Sequence, residues 1–340
     1  MPPENNLADL GEFGLISRIA ANVTIGHGVI TGIGDDAAVT AITPGMQLLT
    51  STDMLLEGVH FRRSWHAPYL LGRKSLAVNI SDIAAMGGIP RWATLSLAIP
   101  KDCSLEYLDS FTKGFLSMAA DHGVALIGGD TCRSNSGLVI SVTILGEQLP
   151  ELIIRRSGAR PGDEIWVTGT LGDAAFGLSL LEQEGGTVET PRRDVSTYLI
   201  SRLLDPTPRT AAGRTLAESG LVTAMIDISD GLMADFGHIA ELAGVGGTIQ
   251  VNALPISPAF QSASQRLSVF PCSFVLSGGE DYELAFTAPV DNRKKIIEIT
   301  KKSGIDATPV GIVTSSPGVT VIRSDGSEIA PQAHGFTHFT

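Results

Sequence analysis

Six short acidic segments punctuate the chain from end to end: GIGDDAAV at 32–39, STD at 51–53, NISDIAAMGG at 79–88, GGDT at 128–131, DISDGL at 227–232 and GGEDYEL at 278–284. Each sets one or two carboxylates beside Gly, Ser or Thr, residues that build tight turns and present side-chain oxygens outward. Singly, an Asp in such a setting is more often a turn residue or a helix cap than a ligand. Six together call for a fold that gathers carboxylates from separated loops, and hard oxygen donors of that kind suit Mg²⁺ and the phosphates it neutralises.

The charge balance agrees. With 24 Lys+Arg against 36 Asp+Glu the formal net charge is -12, so no basic face is offered to nucleic acid or to an anionic membrane. An acidic chain that handles phosphate must neutralise it locally, which favours bound divalent metal over a general positive field. Cys103, Cys132 and Cys272 are widely spaced with no CxxC, which predicts packed thiols rather than a disulfide framework or a thiolate zinc site. No basic segment followed by an apolar stretch opens the chain and no uncharged apolar run reaches the roughly 18 residues of a membrane span, so a cytoplasmic location is expected.

Hydrophobic spacing predicts a helix over 7–21, a strand ending near Ser51-Thr52-Asp53, and a long buried helix over 67–86 with Asp82 projecting from its last turns. WATLSLAIP and VALIGG read as strands, the second delivering Asp130 just past its end, with a helix between them stopped by Gly123. GLVISVTILGEQ alternates like a strand. At 148–162 the sequence turns polar and rich in Arg, Gly and Pro, which puts a domain boundary near residue 150 and divides the chain into 1–150 and 151–340. The second part mixes helices near 171–185, 194–204, 208–220, 231–243 and 291–303 with strands at EIWVTG, TAMIDIS, 248–252 and after GGEDYEL, giving an α/β domain followed by an α+β domain.

Familiar phosphate cradles are missing: no Gly-Lys dipeptide exists for a P-loop, and neither GxSxG nor HExxH appears. Phosphoryl chemistry here must rest on acids and metal. Asp35 and Asp36 on a Gly-rich loop suit one ion or a capped turn; Ser51, Thr52 and Asp53 suit a ligand at a strand end or a plain cap; His60 alone is more often structural; Arg156 suits a phosphate or is a surface arginine at the joint.

Together GIGDD, STDMLLEGVHF, AVNISDIAAMGG, LIGGDT, RRSGARPGD, VTGTLGD, DISDGL, LSGGEDYEL and the closing HGFTHF resemble, in order over the whole chain, the thiamine-monophosphate kinase family. Its relatives are aminoimidazole ribonucleotide synthetase and other ATP users without a P-loop. The resemblance implies an aminoimidazole ribonucleotide synthetase-like fold in which the N-terminal sheet forms a barrel across a homodimer and ligands meet in a cleft between the domains. It implies Mg²⁺-dependent transfer of the ATP γ-phosphate to thiamine monophosphate by direct in-line attack. Carried over by position, Asp35, Ser51, Thr52, Asp53, Asp82, Asp130, Asp227 and Asp230 would hold metal. Gly129, Asp130, Arg156 and Ser229 would contact ATP, and His60, Glu280 and Phe336 the substrate. Selenophosphate and hydrogenase-maturation relatives are disfavoured, because no Cys precedes Cys103 and the chain ends HFT. A metal or nucleotide sensor without turnover and a purine-type amidine ligase are the competing functions.

Overall fold

Alternating burial along strands organises the first part of the chain, because residues at i and i+2 share a face of a sheet. The computed structural model describes residues 7–183, 195–267, 272–329 and 335. It separates into two units, Met1–Ile83 with Ile89–Pro150, and Ala84–Gly88 with Glu151–Thr340. In the first, the elements run α1 (Leu7–Ala20), β1 (Val29–Thr31), β2 (Val39–Thr40), β3 (Gln47–Leu56), α2 (Pro68–Ala85), β4 (Ile89–Pro100), α3 (Leu105–His122), β5 (Ala125–Ser134) and β6 (Val139–Gln148). The order β3-β6-β4-β5 makes a four-stranded sheet, antiparallel except for the parallel β4/β5 pair. Ile140, Val142 and Ile144 of β6 are buried while their odd-numbered neighbours are half-exposed, so one face carries the core.

α2 is buried on nearly its whole circumference, including the polar Lys74, Ser75, Asn79 and Ser81. Gly72 of α2 and Gly114 of α3 explain how the two helices come so close. A Cβ on Gly72 would lie 2.0 Å from the Phe111 carbonyl oxygen, and one on Gly114 would lie 1.8 Å from that of Tyr69. At α3's ends the Ser104 hydroxyl accepts the Tyr107 N–H, and Gly123 adopts the left-handed conformation (φ 66) that ends the helix. β5 runs through Asp130 to Ser134 rather than ending before it, because β4 supplies a parallel partner as far as Pro100.

The second unit comprises β7 (Asp163–Thr168), α4 (Asp173–Gln183), α5 (Val195–Leu204), α6 (Thr210–Ser219), β8 (Ala224–Asp227), α7 (Leu232–Ala243), β9 (Gly246–Gln250), α8 (Pro258–Leu267), α9 (Cys272–Ser277), β10 (Leu284–Pro289), α10 (Arg293–Lys302), β11 (Ala307–Thr314), β12 (Gly318–Ile322) and β13 (Glu328–Ile329). Its seven-stranded sheet has the order β13-β12-β9-β11-β7-β10-β8. Side chains alternate between two cores: Ile165, Val167 and Ile226 pack with Phe176, Phe236, Ile239 and Phe260, while Trp166, Met225 and Phe286 pack with Leu216 and Ile296. Cys103 and Cys272 are buried as expected, whereas Cys132 is exposed on β5; all three are free thiols. Among the described residues no helix is long and apolar enough to cross a membrane.

Gly114→Ala should lower urea stability by roughly 2–4 kcal/mol, since the added methyl meets rigid backbone. Gly237→Ala, in α7 with nothing within 4 Å of its added Cβ, should raise stability by about 0.5–1 kcal/mol. Denaturation curves of the two variants against the parent check both signs.

Candidate active site

Period-two alternation sorts the STD segment. Asp53 lies opposite Val142 and Ser51 opposite Ile144, both of β6's buried row, so these two side chains face the core side of the sheet. There the Ser51 hydroxyl donates to Asp82 Oδ2 at 2.5 Å, which brings the end of α2 onto β3. Burial first, and the neighbouring Asp82 charge second, push the Asp53 carboxyl up to about 7. A cation beside the pair would reverse that shift, and all three side chains offer hard oxygens, so this set fits Mg²⁺. Thr52 points to the opposite face, where its hydroxyl donates to the Val142 carbonyl and accepts from Thr143. Its side chain does not join the Ser51 and Asp53 set.

The remaining first-unit candidates are dispersed. Asp130 is exposed on β5, and Gly129 before it is a close-approach position, since a Cβ there would lie 1.8 Å from the Leu95 carbonyl oxygen. β5 and β3 are opposite edges of the sheet with β6 and β4 between them, so the sheet itself does not pair Asp130 with Asp53. Asp35 is exposed on the β1–β2 loop and accepts the Asp36 N–H at 2.8 Å, a local turn contact. His60 Nδ1 accepts the Leu56 N–H at 3.0 Å, which directs Nε2 away from the chain segment that holds the ring.

In the second unit two acidic segments interlock. Asp227 ends β8, buried and opposite Leu284 of β10. Past it, the Ile228 N–H donates to the Glu283 carbonyl, while the Ile228 and Ser229 carbonyls accept the N–H groups of Tyr282 and Glu280. Glu280 (φ 69) and Tyr282 (φ 50) both take the left-handed conformation, unfavourable for residues with a Cβ and held here by those bonds. Between them the buried Asp281 accepts the Gly172 N–H at 2.7 Å, and burial pushes its carboxyl up to about 8. Glu283, without exposure, accepts Thr168 Oγ1 at 2.7 Å and the guanidiniums of Arg202 and Arg209.

Ser229 and Asp230 lie in the loop so held, and Gly335 lies against it, where an added Cβ would be 2.9 Å from the Asp230 carbonyl oxygen. Phe336, next in sequence, is outside the described residues. Arg156 is exposed in the single turn Arg156–Gly158. Among the described residues no three His, Cys, Asp or Glu side chains converge as a ready metal centre. Sequence reasoning singled out GGEDYEL as an acidic segment but gave Asp281 and Glu283 no role, and it missed Asp235, an acid placed where the pattern expects an apolar side chain. Asp235 lies between Leu232 and Ile239 on the buried stripe of α7.

Two family models match the chain: AIR synthase related protein, N-terminal domain, over residues 34–148, and its C-terminal domain over 160–324. Thiamine-monophosphate kinase of Salmonella typhimurium is 39% identical over 334 residues, 97% of this chain and 98% of the relative. The Escherichia coli K12 protein of that name is 39% identical over 331 residues, with 97% and 98% covered. Among solved structures, thiamine-monophosphate kinase from Stenotrophomonas maltophilia gives a TM-score of 0.82 at 39% identity, covering 93% of this chain and 96% of that one. AaThiL complexed with AMPPCP and TMP gives 0.76 at 35% identity, with 98% of each covered. The architecture is the two-domain AIR synthase-like fold.

For Asp53 the folded value of about 7 lies above the ordinary 3.8, so the native state holds this proton more tightly. Its contribution is fully present below about pH 4 and is lost as pH rises through 7. Metal-free protein should lose roughly 2–4 kcal/mol of urea stability from this group between pH 4 and 8. Asp53→Asn should flatten that slope, which parallel denaturation series would measure.

Proposed function

The chain belongs to the thiamine-monophosphate kinase family of AIR synthase related proteins, and from that premise we propose that it transfers the γ-phosphate of ATP to thiamine monophosphate, yielding thiamine diphosphate and ADP. The observation that carries this reading is the near-full-length match to kinases of that name combined with acids at all six segments. A solved relative of 35% identity holds AMPPCP and TMP, an ATP analogue and the acceptor.

We assign Asp53 and Asp82, with the Ser51 hydroxyl, as Mg²⁺ ligands in the first unit, together with Asp35 and Asp130, and leave out Thr52, whose side chain faces the other way; in the second unit, Asp227 and Asp230 are the ligands. Bound Mg²⁺ would neutralise phosphate charge during transfer. Gly129, Asp130, Arg156 and Ser229 contact the nucleotide in this assignment, with the Arg156 guanidinium suited to bidentate phosphate binding. His60, Glu280 and Phe336 contact the acceptor. A phosphate acceptor is already ionised at pH 7, so an in-line attack needs positioning and charge stabilisation more than a general base. ATP use accords with a cytoplasmic location.

A homodimer with a barrel formed by two copies of the N-terminal sheet is part of the proposal. β3 is a ten-residue edge strand whose Leu48 and Met54 are 43% and 54% exposed, an edge that a second copy would cover. Met54→Glu should shift the protein toward monomer in sedimentation velocity.

Asp82→Asn should reduce turnover about a hundredfold, equivalent to about 3 kcal/mol of transition-state stabilisation, without unfolding the protein. ADP release should be measured with thiamine monophosphate, thiamine, formylglycinamidine ribonucleotide or no acceptor. Turnover only with thiamine monophosphate is expected. Turnover with the purine precursor alone would establish a ligase, and none with any acceptor a sensor.

A further inference from the structure

Asp235 is 2% exposed in the first turn of α7, and one of its oxygens, Oδ2, accepts three successive backbone N–H groups: Ser229 at 3.0 Å, Asp230 at 3.1 Å and Gly231 at 3.0 Å. Gly231 precedes α7 with φ 118, a conformation that favours glycine and helps aim these donors at one point. A row of N–H groups at a helix start is ordinarily an anion site. Here the protein's own carboxylate fills it. On the loop's other edge the Ile228 and Ser229 carbonyls are taken by Tyr282 and Glu280, so the backbone from 228 to 231 is fixed from both sides.

We propose that Asp235 is a positioning residue for cation binding by this loop. By consuming the loop's backbone donors it leaves Ser229 only its hydroxyl to offer a nucleotide, and it fixes the backbone from which Asp227 and Asp230 act. The proposal rests on the assignment of those two acids to Mg²⁺. Asp235 itself, buried against the loop backbone, serves through them.

Mn²⁺ serves as the probe, with free ion counted by electron paramagnetic resonance in titrations of the full chain. Asp235→Ala should weaken Mn²⁺ binding at least tenfold, as Asp227→Ala should, whereas Asp235→Asn, whose amide oxygen still accepts N–H groups, should return to within threefold of the parent. A purely structural role would lower the melting temperature of both Asp235 variants without separating their Mn²⁺ affinities. Parent-like binding by Asp235→Ala beside a weakened Asp227→Ala would overturn the proposal alone. Parent-like binding by Asp227→Ala and Asp230→Ala would overturn the metal assignment, and the proposal with it. Hydrogen exchange on the unaltered protein gives a check that needs no variant: the amides of Ser229, Asp230 and Gly231 should exchange at least a hundredfold more slowly than an unstructured chain, and rapid exchange there would refute the contact on which the proposal stands.

Discussion

Burial of the Glu283 carboxylate is the constraint on which the second unit's architecture turns. A carboxylate without water must be met by charge and hydrogen bonds, or it forces the fold apart. Glu283 is met by Arg202 from α5, Arg209 just before α6 and Thr168 at the end of β7. The Thr168 hydroxyl also accepts the Leu284 N–H, and the Glu283 carbonyl accepts Ile228. The helix α5, the approach to α6, the interior strand β7 and the start of β10 are thereby referred to one carboxyl group. The left-handed Glu280 and Tyr282 lie only a few residues upstream, where such anchoring can hold a strained backbone in place.

The first unit treats its acids differently. Glu147 is buried and its carboxylate is stabilised by Thr43 and Arg91, which hold it below the usual range despite burial. Asp53, by contrast, is raised, first by burial and then by the neighbouring Asp82 charge. Both carboxylates are drawn away from water, and what differs is the partner, Arg91 for Glu147 and a second acid for Asp53. Count or burial alone would not separate Glu147 from Asp53.

Much of this was legible in the sequence because the carrying elements have strong periodicity. α2 was expected over 67–86 and spans Pro68–Ala85; α3 stops at Gly123; β6 alternates as its residues suggest. The face on which each STD side chain lies was implicit in strand alternation, yet grouping Ser51, Thr52 and Asp53 as one ligand set overlooked it. Asp130 was placed just past the end of its strand; in the fold, Gly128 and Gly129 let β5 continue past a bulge close against β4. The roles of Asp235 and Asp281 were not legible for a different reason, although Asp281 stands in the GGEDYEL segment. Their value lies in backbone N–H groups distant from or oblique to the local pattern, and no spacing rule marks a carboxylate that serves another segment's backbone. α8, α9 and β11 to β13 had no reading, because short segments with mixed composition acquire their state from neighbours.

Gly335 lies against the Asp230 loop. Consecutive Cα atoms are about 3.8 Å apart, so a polyhistidine tag joined within a few residues of Gly335 would bring its own metal-binding imidazoles close to the candidate cation loop. Metal titrations made with such a tag would count ions held by the tag, and the untagged protein is the sample for them.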